Sequence, residues 1–119
     1  MNIKEAKLYL AFLNSMKGLK RAFREERAIR QELILCAVGI PAAVIIAPDP
    51  LFFILLTGSL LFILAVEILN TGLEKLCDHV TPEHHQTIGY IKDLGSAAVL
   101  CTLIFASLIW GYGFYLFVR

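Results

Sequence analysis

Glu67, Asn70, Glu74 and Asp78 are the residues whose types and spacing could do chemistry. On an α-helix at about 100° per residue, the three carboxylates fall within about 20° of one direction, with Asn70 about 60° to one side. One helix would therefore present three acids and an amide as a stripe. Like charges stacked this way repel, and an acid near membrane depth is costly. A divalent cation, a Lys or Arg partner, or protonation of one acid would each compensate. A solvated helix end accounts for Asp78 and partly for Glu74. It does not account for Glu67, which directly follows the uncharged run Leu51–Val66. An ionisable residue at such a depth is by default a functional candidate.

Weaker clusters surround this one. Lys92-Asp93 precedes an apolar run, where an interfacial anchor and a helix-start acid are common. Glu25-Glu26 and Arg30-Gln31-Glu32 lead into another apolar run and can face the same pocket as Glu67 and Glu74. His84-His85 are adjacent, so they cannot share a helical face as metal ligands, but a loop could bring them to a ligand. Neither the P-loop pattern G-x-x-x-x-G-K-[ST] nor the dinucleotide pattern G-x-G-x-x-G occurs.

The elements that must position these groups follow from composition. Of 119 residues, 58% are apolar and 18% charged, with mean hydropathy +0.71. A soluble domain of this length has no interior large enough for so much apolar surface. Disorder and a disulfide scaffold are excluded by the same composition, and Cys36, Cys77 and Cys101 lack metal-ligand spacing. The reading is an all-α integral membrane protein. Its apolar runs are Leu33–Ala47, Leu51–Val66 and Leu94–Val118. Pro41 should kink the first span without ending it, and Pro48-Asp49-Pro50 makes a tight turn. Trp110, Tyr112 and Tyr115 mark an aromatic belt at the far end of the third. Residues 1–119 are expected to form a single membrane domain, with an amphipathic interfacial helix within 1–30 and helices near 31–47, 51–76 and 93–118.

Leu8, Phe12, Met16, Leu19 and Phe23 recur on one helical face, opposite Lys17, Lys20, Arg21 and Arg24. Such a helix lies in the membrane interface. Residues 1–32 carry eight of the eleven Lys and Arg, and Lys75 and Lys92 lie in the loop region between the second and third runs. The positive-inside rule puts the N-terminus and this loop in the cytoplasm and the C-terminus outside. Met1–Arg30 stays charged and lacks the apolar stretch of a signal peptide. Three helices cannot both surround a polar site and shield it from lipid. Gly39, Ala42, Ala43, Ala97, Ala98, Ala106 and Ser107 would allow close approach in an oligomer.

Glu67-Ile-Leu-Asn70-Thr-Gly-Leu-Glu74-x-x-x-Asp78, followed by Lys92-Asp93-Leu-Gly95-Ser96-Ala-Ala-Val-Leu, resembles the signature of the prokaryotic diacylglycerol kinase family. The resemblance extends through Ser15-x-Lys17-Gly18-Leu19 and Glu26-x-x-x-Arg30-Gln31-Glu32. It implies a homotrimer of three-span chains in the bacterial inner membrane, transferring phosphate from Mg-ATP to the hydroxyl of diacylglycerol to give phosphatidic acid. It implies Glu67 as general base and Glu26 and Glu74 as ligands of Mg²⁺. ATP would be contacted by Glu26, Glu74, Asp78, Glu83, His84, His85, Lys92 and Asp93. The lipid would be met by Arg30, Gln31, Glu32, Glu67, Asn70 and Ser96. The sequence departs from the family at Gly72, Cys77, Asn14 and Lys7, and the last two are left out of the ATP contacts.

The chemistry of these residues agrees with the implied roles. A lipid hydroxyl sits at the interface, so its base must sit there too. Glu74 lies two helical turns, about 10 Å, further along, where phosphates would arrive. Two alternatives stand beside this reading. One is an undecaprenol kinase of the same family. The other is a non-enzymatic transporter or interaction protein with Glu67 and Lys92 as relay groups; it would want acids deep in several spans, and the first and third runs have none.

Overall fold

The computed structural model describes all 119 residues as four helices. They are α1 (Ile3–Glu25), α2 (Arg27–Ile46), α3 (Pro50–Val80) and α4 (Gln86–Val118). Their ends are built from local chemistry. Asn2 and Glu5 form a reciprocal capping box at the start of α1. Asp49 caps α3 by accepting from the Phe52 N–H at 2.7 Å, with Pro50 in the first turn, where its missing N–H costs nothing. His85 Nδ1 accepts from the Thr87 N–H at 3.1 Å to start α4. Glu26 is the single extended residue between α1 and α2. There the Arg30 guanidinium donates to the carbonyls of Phe23 (3.2 Å) and Arg24 (3.4 Å), groups that the end of α1 leaves unpaired.

Helices α2, α3 and α4 are each long and apolar enough to cross a membrane. Pro41 does not end α2, which continues to Ile46. Helix α3 runs four residues past the expected end near 76, and α4 starts seven before the expected 93. The chain measures 52 × 47 × 23 Å. Helices of this length reach about 50 Å, and three packed about 8–10 Å apart make a narrow bundle. The second long dimension therefore comes from α1 running off to the side. No residue of α1 is buried, and Leu8, Phe12, Met16 and Phe23 all stand exposed on one face. An apolar face left uncovered by its own chain is what an interfacial helix presents to lipid.

Only 13 of 119 residues are buried, so most apolar surface is turned outward, as a bilayer permits. The small core comprises Ile29, Cys36, Ala43, Leu56, Leu60, Ile63, Cys77 and Ala106. Glycines set the close approaches within it. A Cβ on Gly39 would run into Leu60, and one on Gly113 would lie 2.9 Å from Phe52 Cε1. The buried Ser59 and Thr102 hydroxyls donate back to Leu56 and Val99 carbonyls of their own helices, both at 2.7 Å. The Trp110 indole N–H turns inward, onto Ser59 Oγ (3.1 Å) and the Leu56 carbonyl (3.2 Å), tying α4 to α3. Tyr112 and Tyr115 remain exposed. Of the small residues expected at interfaces, Gly39, Ala43 and Ala106 are used inside the chain, whereas Ala97, Ala98 and Ser107 stay exposed.

Candidate functional site

Helix α3 carries Glu67, Asn70, Glu74 and Asp78 in one unbroken helix, so the stripe is real. Glu67 and Asn70 are half-buried; Glu74 and Asp78 are exposed. The Asn70 amide donates to Glu74 Oε1 at 3.3 Å, one turn along. Glu67 lies within electrostatic reach of Glu74 on its own helix and of Glu32 on α2, with no cation paired to it. Glu32 is half-buried, and its Oε2 is buried without a hydrogen-bond partner. A carboxylate with acids for neighbours and no cation wants a positive charge from elsewhere.

The ATP-contact candidates are split between two places. Asp78, Glu83, His84, His85 and Lys92 line one polar cavity of about 210 Å³ at the α3–α4 turn. Lys92 Nζ meets Asp78 Oδ1 there at 2.6 Å, which pins the first turns of α4 to the end of α3. Asp93, next in sequence, is exposed outside that lining. Glu26 is elsewhere. It borders a cavity of about 640 Å³ between α1 and α3, with Ser15, Arg21, Glu25, Thr71 and Lys75 also on its walls. Glu74 lines neither cavity.

Glu26 has a cation partner in the chain itself, for Lys75 Nζ sits 2.8 Å from Glu26 Oε1. The reason is helical. Lys75 follows Glu74 directly and so points about 100° around α3, toward α1, while Glu74 stays on the Asn70 side. The readable signal was that Lys75 is the only lysine or arginine between Arg30 and Lys92. No three acidic, histidine or cysteine side chains of the chain converge into a metal cage. The donor chemistry nonetheless suits magnesium, which binds through one or two carboxylates and takes its remaining ligands from water and substrate phosphates. Glu26 already draws a cation to itself, and Glu74 is exposed to receive one.

The lipid-contact candidates are also dispersed. Glu32 on α2 and Glu67 on α3 lie within electrostatic reach of each other. Arg30 is half-buried and engaged in capping α1; Gln31 and Ser96 are exposed. Asn70 packs against α4 at Gly95. Two contributions were not read from the sequence, the Lys75–Glu26 pair and the Gly95–Asn70 contact, because both depend on how the helices are rotated against one another.

Three membrane-length helices with acids gathered where the second leaves its apolar stretch define a membrane protein with a polar cluster at the end of one span. The family model for prokaryotic diacylglycerol kinase matches residues 13–114. The chain is 38% identical to a diacylglycerol kinase of Escherichia coli K12 over 96 residues, 81% of this chain and 79% of that one. It is 36% identical to one from Haemophilus influenzae over 97 residues, 82% of each chain. It is 40% identical to one from Helicobacter pylori over 105 residues, 88% of this chain and 82% of that one. The chain belongs to the prokaryotic diacylglycerol kinase family. It is therefore a kinase that transfers phosphate from ATP to an alcohol, and the non-enzymatic alternative falls away.

Proposed function

We propose that this chain phosphorylates the free hydroxyl of sn-1,2-diacylglycerol, giving phosphatidic acid at the cytoplasmic face of the bacterial inner membrane. The observation that carries this reading is Glu67, a half-buried acid without a cation partner, at the end of an apolar run. The hydroxyl of a diacylglycerol lies at that depth. The Glu67 carboxylate takes the hydroxyl proton while the lipid oxygen bonds to the γ-phosphorus of ATP. The bond from that phosphorus to the bridging oxygen breaks, and its electron pair leaves with ADP. Asn70 holds Glu74 by its amide, and Glu32 and Glu67 border the place of the lipid headgroup with Arg30, Gln31 and Ser96. Glu26 and Glu74 would hold Mg²⁺, which when bound neutralises phosphate charge. Asp78, Glu83, His84, His85, Lys92 and Asp93 would bind ATP, with the Lys92 ammonium adding positive charge beside the transferred group.

The Lys and Arg distribution supports a cytoplasmic N-terminus and an extracytoplasmic C-terminus. The assembly we propose is a homotrimer, supported by the few buried residues and by Ala97, Ala98 and Ser107 left exposed on α4. Cross-linking in mild detergent should give a trimer band; monomer alone would refute it. The named relatives favour diacylglycerol over undecaprenol. Purified protein given labelled ATP and each lipid in turn should label diacylglycerol faster. Label confined to undecaprenol would reassign the substrate, and no label on either would reject the reading.

A further inference from the structure

Helix α4 passes α3 at Gly95, and the approach is directed at one side chain. A Cβ on Gly95 would run into Asn70 Oδ1, and would stand 3.2 Å from both Asn70 Cγ and Leu73 Cδ2. Gly95 is buried, so no solvent gap exists there for a displaced side chain. Leu73 can answer such a methyl by a small rotation of its terminal carbon. The Asn70 amide oxygen ends a side chain with two free torsions, so it would answer by rotating out of the contact, and the amide would turn with it. Asn70 Oδ1 is itself buried, with no N–H or O–H donor in the chain. The direction along which it lies is that of a glycine Cα–H, so a Cα–H is the group facing it, a weak but recurrent kind of contact. The other end of the same amide donates to Glu74 Oε1 at 3.3 Å.

These contacts form a chain from backbone to site. We propose that Gly95 is a positioning residue: its bare Cα seats the Asn70 oxygen against α4, which turns the amide N–H toward Glu74 and holds that carboxylate in place. The proposal rests on the roles given above to Asn70 and Glu74. It identifies Gly95 as a site requirement, since it is the missing side chain, and not conformational freedom, that matters; Gly95 sits in regular helix with no positive φ.

The test is Gly95→Ala in the full-length protein, with Gly111→Ala as control, because Gly111 lies on the same helix with nothing within 4 Å of its Cβ position. The chain has three asparagines, Asn2, Asn14 and Asn70, so the Asn70 side-chain amide can be followed by nitrogen-15 NMR in detergent. In Gly95→Ala that resonance should shift, and kcat should fall by about 10²-fold, the scale of a misplaced site group. Gly111→Ala should change neither. An unmoved Asn70 resonance would overturn the seating. A moved resonance with normal kcat would overturn the positioning claim by refuting the role of Asn70 itself. The double variant Asn70→Ala/Gly95→Ala covers the case in which Gly95→Ala does not fold. With the amide removed the methyl has room, so adding Gly95→Ala to Asn70→Ala should leave folding and residual turnover within about twofold, as expected for residues acting through one contact. An equal loss in both backgrounds would overturn the proposal and make Gly95 a packing glycine.

Discussion

Replacing Glu67 by Gln should lower turnover by about 10²–10⁴-fold, the usual worth of a general base. Gln keeps the shape and can still hydrogen-bond, but it cannot accept the lipid proton. ATP affinity should survive, because the cavity lined by Asp78, His85 and Lys92 does not include Glu67. Thermal stability should be equal or higher. Glu67 has Glu32 and Glu74 as electrostatic neighbours and no paired cation, so removing its charge relieves repulsion as well as the cost of an acid at membrane depth. Turnover, nucleotide binding and melting temperature measured on the one variant decide the assignment. Near-normal turnover removes Glu67 as base. Lost ATP affinity with a proportionate loss of rate makes it a binding residue.

The second large effect concerns magnesium. Glu74→Gln should raise the Mg²⁺ concentration needed for half-maximal turnover steeply, since one of the two expected carboxylate ligands is gone. Lys75→Met should act in the opposite direction. In the free protein Lys75 pairs with Glu26 at 2.8 Å and competes with any arriving cation. The pair is solvent-exposed on the lysine side, and such pairs are weak, so the gain in apparent Mg²⁺ affinity should be only about two- to fivefold. Titration of activity against Mg²⁺ at saturating ATP reads both variants. Binding of Mn²⁺ followed by electron paramagnetic resonance gives a readout independent of turnover. An unchanged magnesium requirement in Glu74→Gln takes Glu74 out of the metal site. An unchanged or raised requirement in Lys75→Met means that Lys75 does not compete for Glu26.

Much of this architecture is legible in the sequence for simple reasons. A bilayer demands long apolar helices, and three of them are visible as uncharged runs. The stripe on α3 is legible because a helix repeats every 3.6 residues whatever surrounds it, and Glu67 stands out because nothing charged precedes it from Leu51 onward. The amphipathic pattern of α1 is likewise local. The ends of α3 and α4 were less legible. Polar residues at 77–93 carry no hydropathy signal, so the continuation to Val80 and the start at Gln86 rest on helix capping and on the Lys92–Asp78 bridge across the turn.

The sequence by itself determined the membrane class, the helical repeat that aligns Glu67, Glu74 and Asp78, and the family to which the chain belongs. It left open which partner each polar group would take, because that depends on the rotation of each helix about its own axis. Tertiary packing decided that rotation through a few close approaches: Gly39 on Leu60, Gly113 on Phe52 and Gly95 on Asn70. These contacts join residues more than twenty positions apart, and no local periodicity encodes them. They turn Trp110 inward onto Ser59, direct Lys75 to Glu26 instead of leaving that acid free, and seat the Asn70 amide where it can hold Glu74. A side chain's type is written at its own position, but its partner depends on the neighbouring helix.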